Sequence, residues 1–179
     1  MADKNCWCMA WRGTAEERAE FSKAAGTKGS SGRARTSELR REAIHARIAA
    51  GTPVGLLAYA DGEPIAWCSI APRPSYRRLG GPKDFADHPD AVWSIACFFV
   101  ARPWRGRGVT PRLIAAAVEY ARVEGASIVE AYPVDPDSPS YRFMGLKPVF
   151  AAAGFAPVAE AGHRRTVMRL EIKQKATVS

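Results

Sequence analysis

The sequence predicts a mixed α/β fold in which helices flank a sheet. Strand-like runs alternate along the chain with amphipathic helical patterns, and Asp61-Gly62 between two apolar runs is typical of a β-hairpin turn. A long apolar run over 92–100 leads through a loop rich in arginine and glycine into an amphipathic helix. The predicted order is strand, two helices, three strands, helix, strand, helix and two strands.

The N-terminal part, residues 1–53, is predicted to hold a short strand followed by two helices. The strand is expected over 5–12, and Thr14 is expected to cap a helix over 14–24 because acidic residues follow it. Residues 26–35 combine glycine, serine and basic residues without an apolar period, which predicts a loop. The second helix is expected over 37–50, with an apolar face formed by Leu39, Ala43, Ile44 and Ile48.

Residues 54–172 are predicted to form the core. A chain of 179 residues with 47% apolar content can bury one good core, so 1–179 is expected to be a single domain with a flexible tail over 173–179. The remaining strands are expected over 54–59, 65–70, 92–100, 127–132, 155–159 and 166–172, and the remaining helices over 111–123 and 149–153. The buried stripe of the helix over 111–123 is predicted to be Leu113, Ile114, Ala117, Val118 and Ala121.

Composition narrows the classes of function. No apolar run reaches the roughly 18 residues that a membrane span needs, and the N-terminus lacks the pattern of a secretory signal. The four cysteines are irregularly spaced, which favours reduced thiols in a cytoplasmic protein over a disulfide framework. The net charge of +8 suits an acidic partner or a polyanionic cofactor. Because the basic residues are scattered and not interleaved with aromatic residues, a nucleic-acid partner is not favoured.

The cysteines are not expected to form a metal site. They fall on three predicted strands, and neighbouring strands lie about 4.8 Å apart, so their sulfur atoms are not expected to converge on zinc. The Cys-x-Cys spacing of Cys6 and Cys8 also differs from the Cys-x-x-Cys turn that chelates well. Cys97 as a nucleophile stays an alternative, although no histidine lies near it in sequence to activate it.

The loop at 105–110, Arg-Gly-Arg-Gly-Val-Thr, has the features of a phosphate-binding site. The start of the helix that follows leaves N–H groups unpaired and carries the positive end of the helix dipole. The glycines allow a close approach of the backbone to a ligand, and the arginines add positive charge. The Gly-Lys-Ser/Thr ending of a Walker loop and the third glycine of a dinucleotide fingerprint are both absent. A phosphate or pyrophosphate is therefore predicted to bind here.

The Arg-x-x-Gly-x-(Gly/Ala) spacing of this loop resembles the acyl-CoA loop of the GNAT superfamily of N-acetyltransferases. Arg105 and Gly108 fill the first two positions, and Thr110 stands where the family usually has glycine or alanine. The segment 150–155, Phe-Ala-Ala-Ala-Gly-Phe, is similar to the family's C-terminal helix with the Gly-Phe pair that follows it. The resemblance covers residues 54–172 by order of elements. It implies a mostly antiparallel, mixed sheet that is splayed between its fourth and fifth strands.

The resemblance also implies acetyl-CoA as co-substrate, bound in the gap of the sheet, with no metal. The backbone of the strand before the loop would bind the pantetheine arm, and the loop would hold the pyrophosphate. Carried onto this sequence, these roles fall on Phe98, Phe99 and Val100 for the arm, and on Arg105, Gly106, Arg107, Gly108, Val109 and Thr110 for the pyrophosphate.

Acetyl transfer to an amine needs a base for the amine and an acid for the departing thiolate. Glu130 is the first candidate for the base, because it is ionisable, lies in an otherwise apolar strand, and stands where the sheet would open. The alternative is a glutamate that merely faces solvent. The tyrosine that the family commonly uses as the acid is replaced by Phe150. Tyr141 is therefore the candidate acid, with Tyr132 or ordered water as alternatives.

Together these features predict an N-acetyltransferase in which a primary amine of a small molecule or peptide attacks acetyl-CoA directly. The alternative is a catalytically inactive module that binds CoA or nucleic acid. The acceptor is expected to enter over the N-terminal helices and the loops 24–36, 72–90 and 133–146, where Tyr76, Phe85, Tyr141 and Phe143 suggest a partly apolar pocket. The sequence does not define the identity of the acceptor or the size of the acyl group, and a homodimer is one possible assembly.

Overall fold

From residue 15 onward, the helices and strands follow the predicted order. The structure, a computed structural model, describes residues 6–26, 30–81 and 91–172. The helices are α1 (Met9–Arg12), α2 (Ala15–Ala25), α3 (Ser30–Ala49), α4 (Val109–Val123) and α5 (Lys147–Ala152). The strands are β1 (Leu56–Ala60), β2 (Glu63–Pro72), β3 (Val92–Val100), β4 (Ile128–Ala131), β5 (Ala156–Glu160) and β6 (Thr166–Glu171). Short 3₁₀ turns occupy Arg73–Ser75, Arg102–Trp104 and Arg142–Met144.

The described strands form one six-stranded sheet in the order β1-β2-β3-β4-β6-β5. The pair β3–β4 is parallel, and the other neighbouring pairs are antiparallel. At the β1–β2 turn, Asp61 and Gly62 have φ angles of 51° and 82°, the left-handed conformation that a two-residue hairpin turn requires. The prediction of a mostly antiparallel, mixed sheet flanked by helices is confirmed.

The sheet opens between β3 and β4. The pairing of these strands covers only Val92–Ile95 opposite Ile128–Ala131, whereas β2 pairs with β3 as far as Val100. From residue 96 onward, no strand among the described residues therefore lies beside the β4-facing edge of β3. This is the splay that the family resemblance implied between the strands predicted over 92–100 and 127–132.

Apolar side chains on both faces of the sheet hold the helices. On one face, α4 contributes Leu113, Ile114, Ala117 and Ala121, all fully or nearly fully buried, whereas Val118 is only half-buried. These side chains pack with a set from the sheet and α5 that includes Ile95, Phe98, Val129, Phe150 and Phe155. A separate cluster joins the N-terminal helices through Met9, Phe21, Leu39 and Ile44.

The predicted N-terminal strand is wrong. Residues 9–12 form the single helical turn α1, and Trp7 and Cys8 before it have φ angles of 50° and 55°, which no extended strand allows. The turn brings Arg12 into the interior, where its guanidinium donates to the Val54 carbonyl at 2.8 Å and to the Tyr76 hydroxyl at 2.6 Å. Apolar spacing over so short a segment fits a strand and a helical turn equally well.

The predicted loop over 26–35 is wrong from residue 30 onward, where α3 begins. In this first part of α3, the Thr36 hydroxyl donates to the Gly32 carbonyl at 2.7 Å, one turn back. Residues 27–29, the loop residues 82–90 with Phe85, and the predicted tail over 173–179 lie outside the described residues. In the ranges that are described, every helix is too short or too polar to cross a membrane.

Candidate functional site

A cleft of about 410 Å³ opens where β3 and β4 part. We call it the splay cleft. One wall is the end of β3, the opposite wall is the segment 142–146, and the loop before α4 forms the mouth. Its lining residues are Phe98, Val100, Trp104, Arg105, Gly106, Gly108, Val109, Thr110, Pro111, Arg142, Phe143, Gly145, Leu146 and Val149.

The mouth of the splay cleft is built from backbone in an unusual conformation. Gly106 and Gly108 have φ angles of 73° and 72°, in the left-handed region where a side chain costs about 1–2 kcal/mol. A Cβ atom added to either residue would meet nothing within 4 Å, so glycine is favoured here by the backbone φ angle and not by contacts with neighbouring atoms. Gly108 is the N-cap of α4, and no side chain caps this helix. The positive end of α4 therefore faces the cleft with its first N–H groups available.

The arginines of the loop have different positions. The Arg105 side chain lines the cleft and donates from Nε to the Val100 carbonyl at 2.9 Å, which ties the loop to the end of β3. Arg107 lies over the Trp104 ring, 5.6 Å from its centroid, and lines a groove between β1 and α4 instead. Arg142, which the sequence analysis did not single out, brings a second positive charge to the opposite wall.

Most residues predicted to bind the cofactor are brought together at the splay cleft. Because side chains alternate along a strand, Phe98 and Val100 face the cleft while the Phe99 side chain lies on the other face of the sheet. Phe99 and Arg107 thus offer only backbone atoms here. On the opposite wall, Phe143 was expected in the acceptor pocket, but the wall was not linked to the cofactor loop, because its residues lie more than 30 positions further along the chain. The predicted residues that line the cleft are Phe98, Val100, Arg105, Gly106, Gly108, Val109 and Thr110.

Glu130 lies where the strands part, opposite Ser94 in the register, and its side chain is fully buried. The Ser94 hydroxyl donates to Glu130 Oε1 at 2.9 Å, and the Tyr132 hydroxyl donates to the same oxygen at 2.5 Å. Arg169 Nη2 lies 3.0 Å and Arg73 Nη1 lies 3.5 Å from Oε2. The predicted alternative of a solvent-facing glutamate is wrong, because the carboxylate is enclosed by hydroxyl and guanidinium groups.

The tyrosines differ in access to solvent. Tyr132 is buried, and its burial raises the pKa of its hydroxyl, which stays protonated as a donor to Glu130. Tyr141 is 38% exposed, directly before the wall residues Arg142 and Phe143. Its ring centroid lies 6.1 Å from that of Phe143 and 4.9 Å from the Arg165 guanidinium.

Phe150, at the position of the family's tyrosine, is fully buried in the core cluster behind the cleft. Its ring centroid lies 6.1 Å from that of Phe98 and 5.1 Å from that of Phe155. A Cβ atom at Gly145 would lie 2.5 Å from Phe150 Cε2, so the wall of the cleft needs glycine there for close approach.

A second cavity, of about 350 Å³, lies on the other face of β3 beneath α3. We call it the α3-side cavity. It is apolar, and the sequence analysis did not find it as a unit, although it placed Ile44 and Ile48 on one helix face. Tyr76, expected in the acceptor pocket, is buried elsewhere, against Arg12. The residues lining the α3-side cavity are Cys6, Trp7, Cys8, Ile44, His45, Ile48, Leu57, Trp67, Cys97 and Phe99.

Three of the four cysteines, Cys6, Cys8 and Cys97, line this cavity. The Trp67 indole N–H donates to Cys8 Sγ at 2.9 Å. A hydrogen bond with Cys97 is the largest cause that lowers the pKa of Cys8, with Trp67 and the charge of Arg12 adding to it. All four described cysteines are free thiols. Within the described ranges, no group of three or more His, Cys, Asp or Glu side chains is arranged to hold a metal ion.

Several solved acetyltransferase structures share the fold of this chain over most of its length. A GNAT-family protein from Desulfovibrio desulfuricans superposes with a TM-score of 0.54 at 18% identity, covering 89% of this chain and 92% of its own. A Salmonella typhimurium protein solved with acetyl-CoA gives 0.52 at 18% identity, covering 80% and 78%. The ribosomal-protein-alanine N-acetyltransferase of Brucella melitensis gives 0.53 at 16% identity, covering 88% and 95%.

A search of curated proteins by sequence finds no match. The model of the acetyltransferase (GNAT) family, by contrast, matches residues 19–145. This stretch holds α3, β1 to β4, α4 and the predicted acyl-CoA loop over 105–110, whereas the segment 150–155 lies beyond it. With the family model matching more than half of its length, and the splayed sheet in place, the chain belongs to the GNAT family of acetyltransferases.

Proposed function

We propose that this protein transfers the acetyl group of acetyl-CoA to a primary amine of a small molecule or peptide by direct attack of the amine. The observation that carries the proposal is the splay cleft, which joins an unpaired strand edge to the uncapped start of α4. An unpaired edge suits the amides of a pantetheine arm, and a helix start suits a diphosphate.

The cofactor would lie along the cleft in an extended form. Backbone groups of Phe98, Phe99 and Val100 would pair with the pantetheine arm along the free edge of β3. The N–H groups of the loop from Gly106 to Thr110 would surround the diphosphate, with charge from Arg105 and Arg142 on either side. Arg107 would contribute through its backbone, because its side chain is directed away from the cleft.

In the proposed reaction, the amine nitrogen forms a bond to the thioester carbon, and the carbon–sulfur bond breaks. Glu130 is the proposed base. Since its carboxylate lies behind Ser94 and Tyr132, the amine proton would reach it through one of their hydroxyl groups. Tyr141 is the proposed acid for the CoA thiolate, because it borders the cleft wall and is exposed enough to regain its proton from water.

Titration calorimetry with acetyl-CoA tests the cleft. We expect Gly108→Glu to weaken binding about 100-fold, because it places a side chain and a negative charge at the diphosphate position, a loss of roughly 3 kcal/mol. Gly51→Glu is the matched control. Gly51 has a φ of 73°, with nothing within 4 Å of an added Cβ, and it lies past the end of α3. Equal affinities of the two variants would overturn the assignment of the cleft.

A further inference from the structure

The α3-side cavity lies on the opposite face of β3 from the splay cleft, close enough for an acceptor bound there to approach the acyl group of the cofactor. Cys97 and Phe99 of β3 line this cavity, and the alternate residues Phe98 and Val100 line the splay cleft. One strand therefore separates the two. From residue 96 onward that strand has a free edge toward β4, around which groups on its two faces can meet.

The lining of the α3-side cavity is mostly apolar. Indole, phenyl and aliphatic groups form most of the surface, three cysteine thiols and the His45 imidazole complete it, and among the described residues no aspartate or glutamate lines it. The adjoining interior is positively charged, because Arg12 is 4% exposed and donates to Ser69 and Tyr76 hydroxyls and to backbone carbonyls. Within the described residues, none of its partners is a carboxylate. A cation that enters the cavity finds no counter-charge of this kind.

This lining discriminates between amines. The reacting amine must lose its proton before it attacks, so its own charge disappears on the way to the product. A second ammonium group would stay charged, and burying an unpaired charge in apolar surroundings is costly. The volume of about 350 Å³ is at the lower end of the range for small-molecule sites, and it suits one ring system with a short arm.

We propose that the α3-side cavity selects an acceptor whose amine is carried on one apolar, aromatic-sized body without a second positive charge. This inference rests on the proposed amine acetylation. Trp7, Trp67 and Phe99 would pack against the ring of the acceptor, and Ile44 and Ile48 of α3 would cover it. Polyamines and other multiply charged amines would be rejected.

Alkylation of Cys8 reports occupancy of the cavity independently of turnover. Hydrogen bonding lowers the pKa of Cys8, whereas burial raises the pKa of Cys6 and of Cys68, so Cys8 should react first with iodoacetamide. The probes are 2-phenylethylamine and spermidine, and the readout is the alkylated fraction of Cys8 by peptide mass spectrometry. At about ten times its Kd, 2-phenylethylamine should slow the reaction about tenfold, while spermidine leaves it unchanged.

Two variants of α3 make the test specific. Ile48, which is 54% exposed, lines the cavity, and Ile48→Glu should abolish protection by 2-phenylethylamine and introduce protection by spermidine. Ala46→Glu adds the same charge at an exposed position of the same helix outside the cavity, and it should behave like the wild type. Protection by spermidine in the wild type, or none by 2-phenylethylamine, would overturn the inference.

Formation of the N-acetylated amine, measured in parallel by mass spectrometry, separates this inference from the proposed function. Protection of Cys8 with no acetylated product from any amine would support the cavity and contradict amine acetylation. Acetylation of 2-phenylethylamine without protection of Cys8 would support the reaction and overturn the cavity as its acceptor site.

Discussion

At the scale of single residues, Glu130 shows how much depends on partners distant in sequence. Its apolar neighbours in β4 and its place before the opening of the sheet are visible in the sequence. The guanidinium groups that face it come from Arg73 and Arg169, 57 and 39 positions away. Removing one partner of a buried ion pair lowers the free energy of unfolding by more than the pair contributed, because the remaining charge stays buried without a partner.

For this reason we expect Glu130→Gln to lower the free energy of unfolding by about 3 kcal/mol, because it removes the negative charge facing two arginines. Denaturant unfolding measures this loss. If Glu130 is also the base, kcat for amine acetylation falls in the variant while the affinity for acetyl-CoA is kept. Ser94→Ala is the control for the stability measurement, since it removes one neutral donor and should cost about 1 kcal/mol. Unchanged stability and unchanged kcat in Glu130→Gln would contradict both roles.

At the scale of elements, the start of α2 followed from local sequence alone. The Thr14 hydroxyl accepts from the Glu17 N–H at 3.2 Å, and the Glu17 carboxylate accepts from the Thr14 N–H at 2.8 Å, a reciprocal cap within four residues. The tertiary structure adds Arg47 of α3, 2.8 Å from the same carboxylate. One side chain therefore both begins α2 and joins it to α3.

We expect this link to weaken in acid. The hydrogen bond from Arg47 is the largest cause that lowers the pKa of Glu17 in the folded protein. A lowered folded pKa gives stability that is complete above the unfolded pKa of about 4.3 and is lost as the pH falls through the folded pKa. Glu17→Gln should remove about 1 kcal/mol at pH 7 and flatten the dependence of stability on pH below 5.

The measurement is chemical denaturation of the wild type and the variant from neutral pH to pH 3. Glu20→Gln, at an exposed position of the same helix, is the control and should keep the acid dependence of the wild type. Identical pH profiles for Glu17→Gln and the wild type would show that Glu17 contributes nothing to the link between α2 and α3.

At the scale of the whole molecule, the net positive charge of the chain and the position of the splay cleft both favour a ligand with several phosphates. The chain has a net charge of +8, and the mouth of the splay cleft adds the start of α4 and arginine side chains. A cofactor with several phosphates should be attracted over distances comparable to the Debye length, about 10 Å at 0.1 M salt and about 3 Å at 1 M.

Raising the salt concentration from 0.1 M to 1 M should therefore weaken acetyl-CoA binding by about tenfold, because the charges at the mouth are screened. Calorimetry at both concentrations measures this change. S-acetylpantetheine, which lacks the phosphates, is the control and should bind with nearly the same affinity in both. A parallel response of the two ligands would mean that the phosphates contribute no screened attraction.

The elements that could be predicted from the sequence are those whose signals are local. The hairpin at Asp61-Gly62, the cap of α2, the stripe of α4 and the loop 105–110 each depend on residues a few positions apart, so their spacing is enough to predict them. The α1 turn and the first turns of α3 were missed, because short segments without a clear period take their conformation from what they pack against.

Which residues face each other across the two cavities depends on the tertiary fold. It placed Arg142 to Leu146 opposite the end of β3, enclosed Glu130 among arginines, and gathered Cys6, Cys8 and Cys97 under α3. These neighbours come from distant parts of the chain, and the parting of β3 and β4 sets their positions. Sequence spacing carries no measure of such distances, because they arise from the packing of the sheet and helices as a whole.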